Sequence, residues 1–252
     1  MRFLSLGSGS RGNSTLIESC DTRLLLDCAF AARELERRLA RLDVEPESLN
    51  GILVTHEHQD HIQGVGVLAR RYRIPVWLTH GTLLCGRLGE MPEIHLVQGQ
   101  QGFDIGGIRV ESYSVPHDAR EPVQYVFNAE GSRLGVLTDS GMITPHILEM
   151  LTACSALLLE CNHDNGMLAN GPYPPYLQRR VGGNLGHLNN RQAAELLGHL
   201  EHAGLECLVA AHLSEKNNTP ELAREALISA VPGIESRLSI TCQDSPTGWF
   251  QA

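Results

Sequence analysis

The chain has no Cys-x-x-Cys pair; its seven cysteines, at 20, 28, 85, 154, 161, 207 and 242, are odd in number and scattered. That excludes a cysteine-built structural zinc knot and indicates no disulfide framework, so a reducing, cytoplasmic setting is expected. Long apolar runs are lacking too. The runs at 24–26 and 156–159 stop at Asp27 and Glu160, which excludes a membrane-spanning helix. The apolar run at 1–6 meets Gly7 too early for a secretory signal. Positive charge is not in excess either. A net charge of −9 argues against binding nucleic acid through overall electrostatics, though not against a local basic channel. Arg70, Arg71 and Arg73, and Arg179 with Arg180, are the clusters available for such a channel; each is equally a solvated surface.

At 252 residues, with 42% hydrophobic and 19% charged residues, the chain can bury a substantial core. Short strands are expected at 2–6, 14–18, 23–27, 52–55, 76–79, 94–97, 108–115, 123–128, 134–138, 156–160 and 207–211. Leu35, Leu39 and Leu42 at helical spacing predict a helix over 31–42. Further helices are expected over 62–73, 145–151, 189–200 and 220–230. Residues 162–186, rich in Gly, Pro and Asn, read as a long irregular loop, a length that is usually functional or mobile. With no repeat, linker or low-complexity tract, this alternation predicts two layers of sheet with helices outside, in a single domain over 1–252.

The densest chemical signal is Thr55-His56-Glu57-His58-Gln59-Asp60-His61, directly after the expected strand 52–55. Three histidines and an aspartate combine imidazole nitrogen with carboxylate oxygen, a donor set suited to Zn, Mn or Fe in a hydrolytic site. Residues two apart converge in a loop, so His56 and His58 can share one ion while Asp60 and His61 serve its neighbour. The bland alternative is a polar loop, but with 12 histidines in 252 residues such clustering is rare by chance. Four local residues cannot complete two sites. His117 after strand 108–115, Asp139 after 134–138 and His212 after 207–211 supply further donors. Singly each is an ordinary strand cap; with the first cluster they point to one shared metal site.

His-x-His-x-Asp-His after a strand, followed by strand-end His, Asp and His, resembles the metallo-β-lactamase fold across the whole chain. The resemblance implies an α/β (α+β) architecture, an αββα four-layer sandwich of two mixed sheets flanked by helices, with a dinuclear site along one edge. It implies that His56, His58 and His117 hold one divalent ion, Asp60, His61 and His212 the other, and that Asp139 bridges them. Zn and Mn suit these ligands alike. True β-lactamases place a cysteine where this chain has Asp139, and are exported. Glyoxalase-type hydrolases share the aspartate but usually continue the first motif with Gly-Gly, where this chain has Ile62-Gln63-Gly64-Val65. The ribonuclease Z group is more similar, through strand-end Glu160, distant His187 and final His212 followed by Leu213-Ser214.

More similar still are the YycJ (WalJ) proteins. The shared stretches are Gly7-Ser8-Gly9-Ser10-Arg11-Gly12-Asn13-Ser14, Gly64-Val65-Gly66-Val67-Leu68-Ala69-Arg70-Arg71-Tyr72 and Glu160-Cys161-Asn162-His163-Asp164. Gly186-His187-Leu188-Asn189-Asn190 and His212-Leu213-Ser214-Glu215-Lys216-Asn217-Asn218 complete the set. This resemblance implies a 5′-to-3′ exonuclease acting on DNA ends.

Two ions held together would lower the pKa of a shared water and make a bridging hydroxide available at neutral pH. Asp60 is the expected orienting group for that nucleophile. His187, its ring positioned by Glu160, is the expected proton donor to the leaving oxygen; a loop histidine bonded to backbone is the alternative. Backbone N–H groups of residues 7–13, with Ser8, are candidates to cradle a phosphate, against a tight structural turn. Tyr173, Tyr176, Arg179 and Arg180 suit base stacking and phosphate pairing, or ordinary loop packing. His163 is open between the metals, the substrate and neither. Two rival readings stand beside the nuclease: a phosphodiesterase for a small cyclic phosphate or nucleotide, favoured by the acidic charge, and a non-catalytic metal scaffold, weakened by the complete ligand set. Oligomeric state is open, a homodimer included.

Overall fold

Leu24, Leu25 and Leu26 are all buried, as are Leu157, Leu158 and Leu159. Strands apolar at successive positions need cover on both faces, because side chains alternate across a strand. The computed structural model, which describes residues 1–252, meets that need with two seven-stranded sheets. The first contains β1 (Arg2–Gly7), β2 (Ser14–Ser19), β3 (Thr22–Leu26), β4 (Gly51–Leu53), β5 (Val76–Thr79) and β6 (Ile94–Val97). The second contains β7 (Gly102–Ile105), β8 (Ile108–Ser114), β9 (Val123–Ala129), β10 (Ser132–Leu137), β11 (Ala156–Glu160), β12 (Cys207–Ala211) and β13 (Leu238–Ile240). The last strand, β14 (Phe250–Gln251), returns to pair with β1. Both sheets are mixed: β1–β2–β3 and β7–β8–β9–β10 are antiparallel, whereas β3–β4–β5–β6 and β10–β11–β12–β13 are parallel.

Nine helices lie outside or at the edge: α1 (Ala32–Ala40), α2 (Gln59–Ile62), α3 (Val65–Tyr72), α4 (His80–Leu83), α5 (Pro145–Leu151), α6 (Asn165–Asn170), α7 (Pro175–Val181), α8 (Asn190–His199) and α9 (Pro220–Ala230). Three apolar layers hold this together. Leu24, Leu26 and Leu53 meet Tyr125, Phe127 and Leu158 between the sheets. On the far face of the first sheet, Leu25 and Ile52 pack on Leu35, Leu39 and Leu68 of α1 and α3. Leu157 and Leu159 of the second pack on Leu151, Leu196 and Leu227 of α5, α8 and α9. The result is the expected αββα sandwich. No helix is long and apolar enough to cross a membrane.

Some elements differ from the sequence expectation. The helix expected over 62–73 is divided into α2 and α3 at Gly64. Its N–H donates to the Cys28 carbonyl, and a Cβ there would lie 2.1 Å from the Phe30 carbonyl oxygen. The stretch 162–186 is not wholly irregular: α6 is capped by Asp164, which accepts from the Met167 N–H, and α7 begins with Pro175 at its first position. Edge strands β7, β13 and β14 went unanticipated because, at two to four residues, they carry too short a pattern to read.

Candidate metal centre

β8, β10, β11 and β12 run in one direction, so their carboxyl ends open on one edge of the second sheet. The ends of β3 and β4 face them from the first sheet. The sheets are tied together here: the Val123 N–H donates to the Thr55 carbonyl, and the Tyr125 hydroxyl to the Val54 carbonyl. Asp27, Asp139 and His212 follow β3, β10 and β12 with φ of 57°, 53° and 57°. A non-glycine residue in this left-handed region is strained, and such strain gathers where side chains are aimed for function.

The ring nitrogens of His56, His58 and His117 form one group, and Asp60, His61 and His212 another, the donor atoms of each lying within 4.8 Å of one another. Asp139 stands between them, its oxygens 3.3 Å from His61 Nε2, 3.4 Å from His212 Nδ1 and 3.9 Å from His117 Nε2. The structure thus brings together the seven residues that the resemblance implied as ligands. Most of the rings are held from behind. His61 Nδ1 is 2.8 Å from Asp27 Oδ2, His212 Nδ1 3.0 Å from Glu160 Oε1, His117 Nδ1 3.0 Å from the Gly186 carbonyl and His56 Nδ1 3.0 Å from Thr55 Oγ1. Holding one ring nitrogen from outside orients the other as a metal ligand. Buried His56 Nε2 and Asp139 Oδ2 have no hydrogen-bond partner in the protein. Orphaned donors of this kind, converging from two directions, fit divalent cations.

The electrostatics agree. Burial works against the charged form of His212, but Asp139, Asp60 and Glu160 outweigh it and raise the ring to about 10. His61 is raised well above its ordinary range against burial by Asp139, Asp27 and Asp60. Burial would raise Asp139, yet His212 and His61 hold it well below the usual carboxylate range. Burial likewise opposes Glu160, which His187 and His212 bring down to about 2. His56 and His117 are pushed down chiefly by burial. Negative charge is therefore focused where cations would sit.

Residues 22–212 match the family described as "Beta-lactamase superfamily domain". The chain belongs to this superfamily. Exodeoxyribonuclease YycJ of Bacillus anthracis is 35% identical over 230 residues, covering 89% of this chain and 86% of that protein. Exodeoxyribonuclease WalJ of Streptococcus pneumoniae is 31% identical over 258 residues, covering 98% and 96%. Within the superfamily the chain thus falls in the YycJ/WalJ group, and it is a metal-dependent hydrolase. YhfI of Bacillus subtilis, a metallo-β-lactamase fold protein, shares the fold with a TM-score of 0.76 at 16% identity, covering 99% of both chains.

In this YycJ/WalJ-type chain, Glu160 Oε1 accepts from His187 Nδ1 at 2.9 Å, and the His187 side chain is 20% exposed in a cleft beside Asp60 and His212. Glu160 is fully buried; its other oxygen accepts the Ser140 and Leu188 N–H groups. Ser8 does not face the cleft. Its hydroxyl donates to Asn13 Oδ1 and accepts the His212 N–H, so its one proton is committed inside the protein and none is left for a phosphate oxygen. The rest of that loop is similar: the N–H groups of Gly7, Ser8, Gly9, Arg11, Gly12 and Asn13 all donate to protein acceptors. Residues 7–13 are thus mainly a structural turn. On α7, Tyr176 is 68% exposed and Arg180 pairs with Asp118. His163 is buried, hydrogen-bonded through Nδ1 to Asn162. Arg70 donates to the Leu88 and Glu90 carbonyls and Arg71 pairs with Glu36, so these two are committed within the protein.

Two residues that brace the cluster were missed. Asp27 accepts the Thr55 N–H and hydroxyl as well as the His61 ring. Asn13 joins the first loop to the Asp60 carbonyl. Asp27 carries the signal used for Asp139, a carboxylate ending an apolar strand; Asn13 lies in the glycine-rich loop already singled out, but nothing local marks its contact with Asp60.

Proposed function

We propose that the chain is a 5′-to-3′ DNA exonuclease holding two divalent ions, Zn or Mn. His56, His58 and His117 hold one, Asp60, His61 and His212 the other, with Asp139 between. The end-to-end similarity to two proteins named exodeoxyribonucleases carries this reading. Divalent ions bound there would lower the pKa of a coordinated water and neutralise charge on the phosphate. Asp60 Oδ2, 3.6 Å from both His61 Nε2 and His212 Nε2, accepts a hydrogen bond from the attacking water and aims it at phosphorus. His187, steadied through Nδ1 by Glu160, gives a proton to the leaving oxygen. Tyr176 and Arg180 on α7 meet the polymer beyond the reacting phosphate. Seven free cysteines, four of them buried, fit a reducing cytoplasm.

The small-phosphodiester reading rests on the net charge of −9. Against it, the cleft beside Asp60, His187 and His212 has a volume of 80 Å³, well under the roughly 300–1,000 Å³ that encloses a drug-sized ligand. A space of that size suits a phosphoryl group better than a whole enclosed molecule. Digestion of end-labelled single- and double-stranded DNA and RNA with added Mn or Zn decides between them. Stepwise release from 5′ ends of DNA is expected; cleavage of a small phosphodiester alone would remove the nuclease reading.

A further inference from the structure

Six of the seven N–H groups in the loop 7–13 donate to protein acceptors; the exception is Ser10, which is exposed and lines the cleft with Asp60, His187 and His212. Two other cleft residues also keep a donor uncommitted within the protein. Ser214 Oγ accepts from the Asn217 N–H and Nδ2 but donates to nothing in the protein. The hydroxyl of half-buried Tyr173 has no protein partner. The cleft therefore carries four uncommitted donors, the Ser10 N–H and three hydroxyls, while Arg180 is paired with Asp118 and Arg11 with Glu215 and Asp244.

Resting on the phosphodiester reading above, we infer that Ser10, Tyr173 and Ser214 form a neutral subsite for the non-bridging oxygens of a phosphate. Hydroxyl and amide donors suit phosphate oxygens as hydrogen-bond acceptors, and the cleft that holds them is small, at 80 Å³. Such a subsite reconciles a polyanionic substrate with a chain of net charge −9, because the grip does not depend on a basic track. It also assigns the conspicuous glycine loop a purpose: Ser8 and Asn13 fix its shape so that Ser10 projects into the cleft.

The test is calorimetric titration of inorganic phosphate into the metal-loaded protein, using Ser10→Ala, Tyr173→Phe and the double variant. Neither side chain bonds within the protein, so folding and metal content, checked by elemental analysis, are expected to be unchanged. Each single change should weaken phosphate about 10-fold. Affinity for a DNA end should fall with salt at a shallow logarithmic slope, no steeper than about −2, where each phosphate neutralised by Lys or Arg would add about −0.9. Wild-type phosphate affinity in the double variant overturns the inference, as does no phosphate binding by the wild type at millimolar concentration or a salt slope near about −5. Hydroxyl-dependent phosphate binding by a protein that cuts no polynucleotide supports the subsite and removes only the nuclease reading.

Discussion

Asp27 receives three hydrogen bonds, two from Thr55 and one from the His61 ring, and so sets the entry angle of the whole His56–His61 segment. Asp27→Asn should keep the volume but lose the charge that fixes the His61 ring, lowering metal affinity about 10- to 100-fold. Retained wild-type metal content after mild chelation would refute that role. His187→Ala should lower kcat by about 10²- to 10⁴-fold while leaving KM nearly unchanged; an unchanged kcat excludes it as the proton donor. His163 presents a pH effect instead. Burial pushes its ring from the ordinary 6.5 down to about 4, so the fold accepts the neutral form. Its contribution to stability is full above pH 6.5 and is lost as pH falls toward 4, where the unfolded chain has already taken up the proton. The size is on the order of 3 kcal/mol. Urea melts of His163→Gln should show a smaller loss across that window than the wild type; parallel curves would discount it.

At the scale of elements, most of what was legible came from apolar strands that end in a polar residue. His117, Asp139, Glu160 and His212 were read that way, and Asp27 could have been. The break between α2 and α3 was not legible, since nothing in Ile62-Gln63-Gly64-Val65 says that the Phe30 carbonyl lies against Gly64. Gly64→Ala should cost about 1–3 kcal/mol in urea unfolding, because backbone must move to admit the Cβ. A change under a few tenths of a kcal/mol would mean that the contact yields freely. The stretch 162–186 looked irregular because α6 and α7 are short, one begun by the Asp164 cap and the other by Pro175, without an apolar stripe to announce them.

Over the whole molecule, the layer of Leu24, Leu53, Phe127 and Leu158 makes each sheet part of the other's core. We propose that residues 1–252 unfold as one unit, with coincident far- and near-ultraviolet melting; two separated transitions would argue for two domains. Chelation should lower the single Tm, since ions that bind only the folded state stabilise it by mass action. By itself the sequence determined the donor identities, the strand ends that bear them and the superfamily, because these are properties of local pattern. The tertiary structure alone decided which ring nitrogen faces the centre, and it reassigned Ser8. Ser8 meets His212 and Asp27 meets His61 only through the fold, 204 and 34 positions apart along the chain. Whether a hydroxyl keeps a free proton depends on what lies beside it in space, and no local pattern records that.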